Sequence, residues 1–427
     1  MSWNDPVAAA GEASNADGEA NAGSAAEISV RKEHHLDICL DDERYPDPAA
    51  GGTSLDQVRL VHRALPELDY GAIDTGQRFL RARLRLPLLI SCMTGGSGRG
   101  RSANRALAEA AQRAGVAVGV GSIRPLLRDP DTFADFHVKP HAPDVPVLAN
   151  LGAVQLRDLG AGALRPLLER LEVQALVIHL NAGQELFQPG GDRDFRGLLE
   201  AIAGAVAGCG VPVLVKETGF GIGPAEIRLL LGYGVRYVDV AGAGGTNWIA
   251  VEGERLAAPE RQSARAFADW GLPTGVLLAA LGSEKAGRVI ASGGLRHGVH
   301  LAKALALGAG LGAMALPFIR AVMAGGTEGA LALIGRVGHE LRVAMTLCGA
   351  PTLADLRRAP LMQSASFRDQ VAELRRAALS ARVPAVVSTP RSVPGAEAAL
   401  GTRGMSRPDA SGTSNEPPPP ARTIAGG

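Results

Sequence analysis

Short apolar runs recur along the middle of the chain, each followed by glycine or polar residues. They are LPLLIS (86–91), VAVGVG (116–121), VPVLAN (145–150), ALVIHL (175–180), VPVLVKE (211–217), YVDVAG (237–242), RVIASGG (288–294) and LGAMAL (311–316). Nearly continuous apolar character over so few residues predicts strands buried on both faces, as in a parallel sheet. Stretches of helical spacing lie between the runs. RSANRALAEAAQRA (101–114) is one, with Gly115 as its stop. Most spacings are roughly 25–35 residues, the size of one strand–helix unit. Eight similar units predict an α/β fold, a TIM (β/α)8 barrel, over a competing open doubly wound sheet. No GxGxxG follows the first run to mark a dinucleotide-binding half. The gap between the sixth and seventh runs is longer and has room for an active-site loop or lid around 247–270.

Composition bounds this picture without redirecting it. The chain has 427 residues, of which 46% are hydrophobic and 4% aromatic, so core volume comes mainly from Leu, Val, Ile and Ala. Residues 1–28 are rich in Ala, Gly, Asn and Ser without periodicity and read as a disordered arm. Residues 386–427 read as a flexible Pro/Gly/Ser-rich tail, which leaves 29–385 as the single folded domain. Forty-four basic against 43 acidic residues give a net charge of +1, which argues against a large nucleic-acid footprint. Cys39, Cys92, Cys209 and Cys348 are far apart and read as reduced thiols rather than zinc ligands. No signal-peptide pattern or membrane-length apolar run is evident, so a cytoplasmic protein without membrane insertion is expected.

Catalytic groups of such barrels lie at the C-terminal ends of the strands. Polar residues fall there repeatedly: Thr94 and Gly95 after the first run, Ser122 after the second, Asn150 at the end of the third. His179, Asn181, Gln184 and Glu185 surround the end of the fourth, and Lys216 ends the fifth. The turn IASGGLRHG (290–298) and the helix start in ALPFIRAV after the eighth run together suit a phosphate, because glycine amides and a helix N-terminus both present N–H donors. Lys216, near the end of an apolar strand, needs an anionic or polar partner, either a ligand or a structural carboxylate. Glu185 is a candidate for a hard divalent cation completed by substrate phosphate, or else a loop-stabilising acid. RKEHH (31–35) combines cations and imidazoles suited to a diphosphate, or forms a solvated face. Trp248 and Trp270 read as packing residues.

Taken in order, RKEHHLDICL, SCMTGGSGRG, GVGSIR, NLGAVQL, HLNAGQELFQPGGD, VPVLVKETGFGI, VDVAGAGGTNW, DWGLPT and IASGGLRHG resemble the type 2 isopentenyl-diphosphate Δ-isomerases, from Arg31 to about Leu356. The resemblance implies noncovalent FMN, Mg2+, and reversible conversion of isopentenyl diphosphate to dimethylallyl diphosphate. NADPH would serve only to reduce the flavin. A homo-oligomer, tetramer or octamer, is also implied. Carried onto this chain, the FMN cradle comprises Met93, Thr94, Gly95, Ser122, Asn150, Lys216 and Thr246, with the phosphate near Gly293, Gly294, Ala315 and Leu316. Arg31, Lys32, His35, His179, Asn181 and Gln184 face the substrate, and Glu185 binds Mg2+. Gln184, Lys216 and His179 are the implied catalytic set. Three positions depart from the family pattern: Ile123 stands where an amide is usual, Gly183 where a larger apolar residue is common, and Asn247 where serine is. An FMN-dependent oxidoreductase acting on a small organic anion is the alternative function.

Overall fold

The computed structural model describes residues 25–41, 43, 50–282 and 287–380. The tail read as flexible lies outside these residues, as does the N-terminal arm except for 25–28, which open a helix.

All eight predicted strands form: β1 (Leu88–Ile90), β2 (Ala117–Ser122), β3 (Val147–Gly152), β4 (Ala175–Leu180), β5 (Val213–Glu217), β6 (Tyr237–Asp239), β7 (Val289–Ala291) and β8 (Leu311–Met314). They pair in parallel in chain order, and β8 returns to β1 through Gly312↔Leu88, so the sheet closes into a barrel. Closure excludes the open doubly wound arrangement. The helices that position the site are α1 (Ala25–Leu40), α2 (Gly98–Ala114), α3 (Ala182–Phe187), α4 (Trp248–Gly253), α5 (Thr274–Leu281) and α6 (Leu316–Leu347). Helix α2 starts where Ser97 accepts from the Gly100 amide and stops at the left-handed Gly115, as the sequence predicts.

Most of the buried apolar residues divide between two cores, with two small satellite clusters beside them. Leu89, Leu148, Leu214, Ile290 and Leu311 fill the barrel interior, while a larger set packs the outer face of the strands against the helices. A hairpin preceding β1 (Gln77–Phe79 with Ala82–Leu84) brings the buried Phe79 against the same interior core, its ring 4.9 Å from that of Tyr237 at the start of β6. The N-terminal end of the barrel is thereby filled, and the polar chemistry is left to the other end.

Helix α6 is long and apolar enough to span a membrane by length and composition alone. Its chain breaks at Gly325 and Gly326, and Leu333, Ile334, Val337, Leu341 and Met345 are buried in the outer core of the barrel. It is a core helix.

Parallel pairing places residues of neighbouring strands in register on one face. Gly152 pairs with His179, His179 with Lys216, and Lys216 with Asp239. One row across β3 to β6 therefore collects an imidazole, an ammonium and a carboxylate at the catalytic end of the barrel.

Candidate active site

An open-mouthed cleft with a cavity volume of about 190 Å³ lies over the C-terminal ends of the strands. Met93, Ser122, Asn150, Lys216, Thr246, Gly293, Gly294, Ala315 and Leu316 line it, together with Arg31, Lys32, His35, His179, Asn181, Gln184 and Glu185. Two predicted residues stand one layer behind. Thr94 is buried and its carbonyl accepts from the Gly121 amide, while Gly95 packs against Asn104 and Phe136.

The RKEHH segment lies within α1, which lies over the cleft. Glu33 and Asp37 both pair with Arg99, at the start of α2. Lys32 points inward, where its ammonium donates to the carbonyls of Gly95 and Ser122 and lies 5.4 Å from the Phe136 ring centre. Burial, reinforced by the neighbouring Arg31 charge, pushes its pKa down to about 7. Lys32 thus ties α1 to the loops after β1 and β2. Arg31 is different. Its pKa is lowered by burial and then by the Arg124 guanidinium, so two cations face one another across the cleft wall. The buried Nε of Arg124 has no hydrogen-bond partner. Like charges held together with an unsatisfied donor suit an anion.

His179 donates through Nδ1 to Asn150 Oδ1 at 2.8 Å. Burial, then the charges of Lys216, Lys32 and Arg124, push its pKa down to about 3, so the ring is neutral at physiological pH. Lys216 Nζ donates to the Glu217 carbonyl at 2.7 Å. The Glu217 carboxylate itself accepts from the amides of Gly219, Phe220 and Gly221 and fixes the loop after β5. Beside Lys216, Asp239 accepts from the Ser292 hydroxyl at 2.5 Å, and burial raises its pKa against the pull of the ammonium. Burial also pushes the Cys92 thiol up to about 12, so it stays protonated on the cleft floor.

The sequence reading missed Glu252. It lies on α4 with no exposed surface. His35 Nε2 is 2.9 Å from its Oε1, Gln184 Nε2 donates to the same oxygen at 3.0 Å, and Arg255 donates to Oε2 at 2.5 Å. Burial alone would raise this carboxyl, but the bonds from His35 and Gln184 and the Arg255 charge outweigh it and hold the pKa at about 2. Three elements remote in sequence meet at this carboxylate: α1, α3 and α4. The available signal was one acid inside the otherwise apolar WIAVEG.

Glu185 is buried, with Oε1 accepting from Asn181 Nδ2 (2.9 Å) and Oε2 from Gln188 Nε2 (3.1 Å) and the Asp192 amide (3.0 Å). A carboxylate has about four acceptor sites, so capacity for a cation remains. Among the described residues no group of three or more His, Cys, Asp or Glu converges. The chain therefore offers one hard oxygen donor, and a divalent cation fits here only with an anionic ligand completing its shell.

At the opposite rim the donors lack acceptors. The amides of Gly293, Gly294, Ala315 and Leu316 bond to no protein group among the described residues, and all four residues line the cleft. The first two belong to a double-glycine turn with φ of 91° and 80°, and the last two begin α6. Such a nest beside a helix N-terminus fits a phosphate. The buried Thr94 hydroxyl is also unpartnered, an orphan polar atom behind the cleft wall. These features fit the phosphate and polar edge of FMN.

The three family departures have local explanations. Ile123 is fully buried in the outer core and does not line the cleft. Asn247 caps α4 by accepting from the Ala250 amide, as serine would, and its Nδ2 also reaches the carbonyls of Phe267 and Ala268. A Cβ on Gly183 would sit 3.0 Å from Phe220 and 3.2 Å from Ile249, which already occupy that space. Gly183→Leu is accordingly expected to destabilise the protein by about 1–3 kcal/mol through overpacking, read as a lower thermal midpoint. Trp270, expected to pack, is instead 62% exposed, touching Phe267 edge-on at 5.6 Å between ring centres.

Fold and site together define a closed (β/α)8 barrel whose cleft carries unpaired amides suited to a phosphate, an architecture of the FMN-dependent class. Residues 199–363 match the FMN-dependent dehydrogenase family. Among solved structures, a lactate oxidase from Pediococcus acidilactici superposes with a TM-score of 0.56 at 16% identity, covering 80% of this chain and 94% of that one. A mandelate oxidase superposes at 0.54 and 19%, covering 80% and 99%. At these identities the likeness shows the fold alone. Sequence relatives are much nearer. The isopentenyl-diphosphate delta-isomerase of Xanthobacter autotrophicus is 46% identical over 78% of this chain and 96% of its own length. That of Cronobacter sakazakii is 46% identical over 78% and 97%, and that of Borrelia garinii 38% over 78% and 92%. The chain belongs to the isopentenyl-diphosphate delta-isomerase family.

Proposed function

We propose that this protein interconverts isopentenyl diphosphate and dimethylallyl diphosphate, with FMN and Mg2+ bound in the cleft and NADPH as the flavin's reductant. The observation that carries the reading is that one cleft offers two separate anion sites. Unpaired amides over β7 and β8 suit the FMN phosphate. Arg31 and Arg124, near Glu185, suit a diphosphate whose oxygens complete the shell of Mg2+.

Reduced flavin supplies an electron-rich surface and an exchangeable proton beside the alkene. The chain's own residues account for the rest. Arg31, Arg124 and Glu185 with its metal hold the diphosphate, and that remote binding energy orients a small apolar tail that offers few contacts of its own. Gln184 lines the cleft with its Nε2 held by Glu252 and its Oε1 accepting from Asn181 Nδ2 at 3.4 Å, and in that fixed orientation it would position the C2 proton of the substrate. Neutral His179, anchored to Asn150, contributes a ring that does not compete for the substrate's proton at neutral pH. Lys216 balances negative charge at the cleft floor. Helix α1, anchored through its own Lys32 and His35 and packed edge-on through His35 against Trp248, keeps water from a cation-like intermediate. A cytoplasmic homo-oligomer, tetramer or octamer, completes the proposal.

The test is direct. Holoprotein reduced under anaerobic conditions and given isopentenyl diphosphate with Mg2+ yields dimethylallyl diphosphate. Absence of product at full flavin occupancy overturns the proposal, and flavin bleaching by a small hydroxy acid would replace it with the oxidoreductase alternative.

A further inference from the structure

We infer that Thr274 is a positioning residue for the cofactor phosphate, acting through the backbone of the β7 turn. The inference rests on the FMN reading of that turn. Thr274 opens α5, where the long segment after β6 returns to the barrel, and it is fully buried. It does not line the cleft. Its hydroxyl hydrogen is shared between two carbonyls, Ser292 at 3.0 Å and Gly293 at 2.7 Å.

The consequence follows from peptide geometry. In a trans peptide the carbonyl of one residue and the N–H of the next point in opposite directions. Fixing the Ser292 and Gly293 carbonyls toward Thr274 turns the amides of Gly293 and Gly294 the other way. Those are two of the amides that face the cleft without an acceptor. The next peptide is fixed similarly: the Gly294 carbonyl accepts from Arg296 at 2.6 Å. A double-glycine turn is the most pliable backbone available, and each of its peptides can rotate at little cost. Unanchored, it would present carbonyl oxygens to a phosphate as readily as amides. Thr274 removes that choice before the ligand arrives, which is preorganisation.

The same residue joins this turn to the loop after β6. The Thr274 amide donates to the Ala243 carbonyl at 3.4 Å, and the Ala243 amide donates to Leu272 at 2.9 Å. The Gly242 amide donates to the Ser292 carbonyl at 3.0 Å, so one carbonyl receives a bond from each side. Thr274 thus stands where the segment carrying Glu252 is zipped to the turn carrying the unpaired amides.

The inference separates FMN from riboflavin, which differ only by the phosphate. Thr274→Val keeps shape and loses the hydroxyl; Thr274→Ser keeps the hydroxyl. Dissociation constants for both flavins are measured on apo-protein by fluorescence quenching. Thr274→Val is expected to weaken FMN at least about tenfold, the scale of one lost hydrogen bond or more, while riboflavin affinity changes by less than about twofold. Thr274→Ser is expected to restore FMN binding. Equal weakening of both flavins, or unchanged FMN affinity, overturns the inference. Wild-type protein that binds neither flavin overturns the FMN reading and the inference with it.

Discussion

Glu252→Gln is expected to lower turnover by at least about a hundredfold, the lower range for loss of a group that governs proton transfer. The carboxylate accepts from Gln184 and Arg255 and lies 2.9 Å from His35 Nε2. Glutamine has one acceptor oxygen and replaces the other with an NH2 group, so at least one donor meets a donor inside a site with no exposed surface. Either Arg255 is left charged and unpaired, or Gln184 loses its fixed orientation. Breaking a buried pair of this kind costs about 3–5 kcal/mol. Steady-state kinetics with isopentenyl diphosphate separates the outcomes. Loss of kcat at little-changed KM is expected from a misoriented Gln184, whereas a change in KM alone would show that Glu252 serves only to dock α1.

The same carboxylate predicts an acid limit. Its pKa in the folded protein is about 2, below the usual carboxylate value of 4.5. Its stabilisation is therefore complete above about pH 4.5 and is lost as pH falls toward 2. Thermal midpoints compared between wild type and Glu252→Gln are expected to differ most above pH 4.5 and to converge below it.

Gly293→Ala is expected to yield protein without bound flavin. The residue has φ of 91°, and a Cβ there would lie 1.9 Å from the Gly242 carbonyl oxygen and 2.5 Å from its amide. Left-handed strain alone costs about 1–3 kcal/mol, and the steric conflict forces the turn to move. Moving it displaces the Gly293 and Gly294 amides that face the cleft. FMN affinity is expected to fall at least about a hundredfold, equivalent to about 2.7 kcal/mol. A colourless purified protein, not reconstituted by excess FMN but with a cooperative thermal transition, is the expected result. Normal flavin content would remove the β7 turn from the cofactor site.

Much of the architecture was legible because it depends on periodicity. Eight apolar runs gave eight strands at nearly the expected positions, since continuous apolar character is what a strand covered on both faces requires. Candidate residues at strand ends were legible for the same reason: in a parallel barrel every strand end points to one face. The motifs added the family. What escaped was chemistry carried between segments. Lys32 reads as a substrate cation, yet it spends its donors on the carbonyls of Gly95 and Ser122, 63 and 90 residues away. Ile123 replaces an amide usual in the family, yet its side chain is in the outer core. Trp270 reads as a packing residue but lies largely in solvent.

The sequence by itself determined the strand and helix pattern, the glycine turn after β7 and the family, because each is local or a matter of ordered motifs. Only the tertiary structure decided that Glu252 joins α1, α3 and α4, that Thr94 stands behind the cleft wall, and that Thr274 anchors a turn it does not adjoin in sequence. These depend on barrel closure and on burial. A side chain's charge state and hydrogen-bond partners are set by what the fold brings within about 3 Å of it.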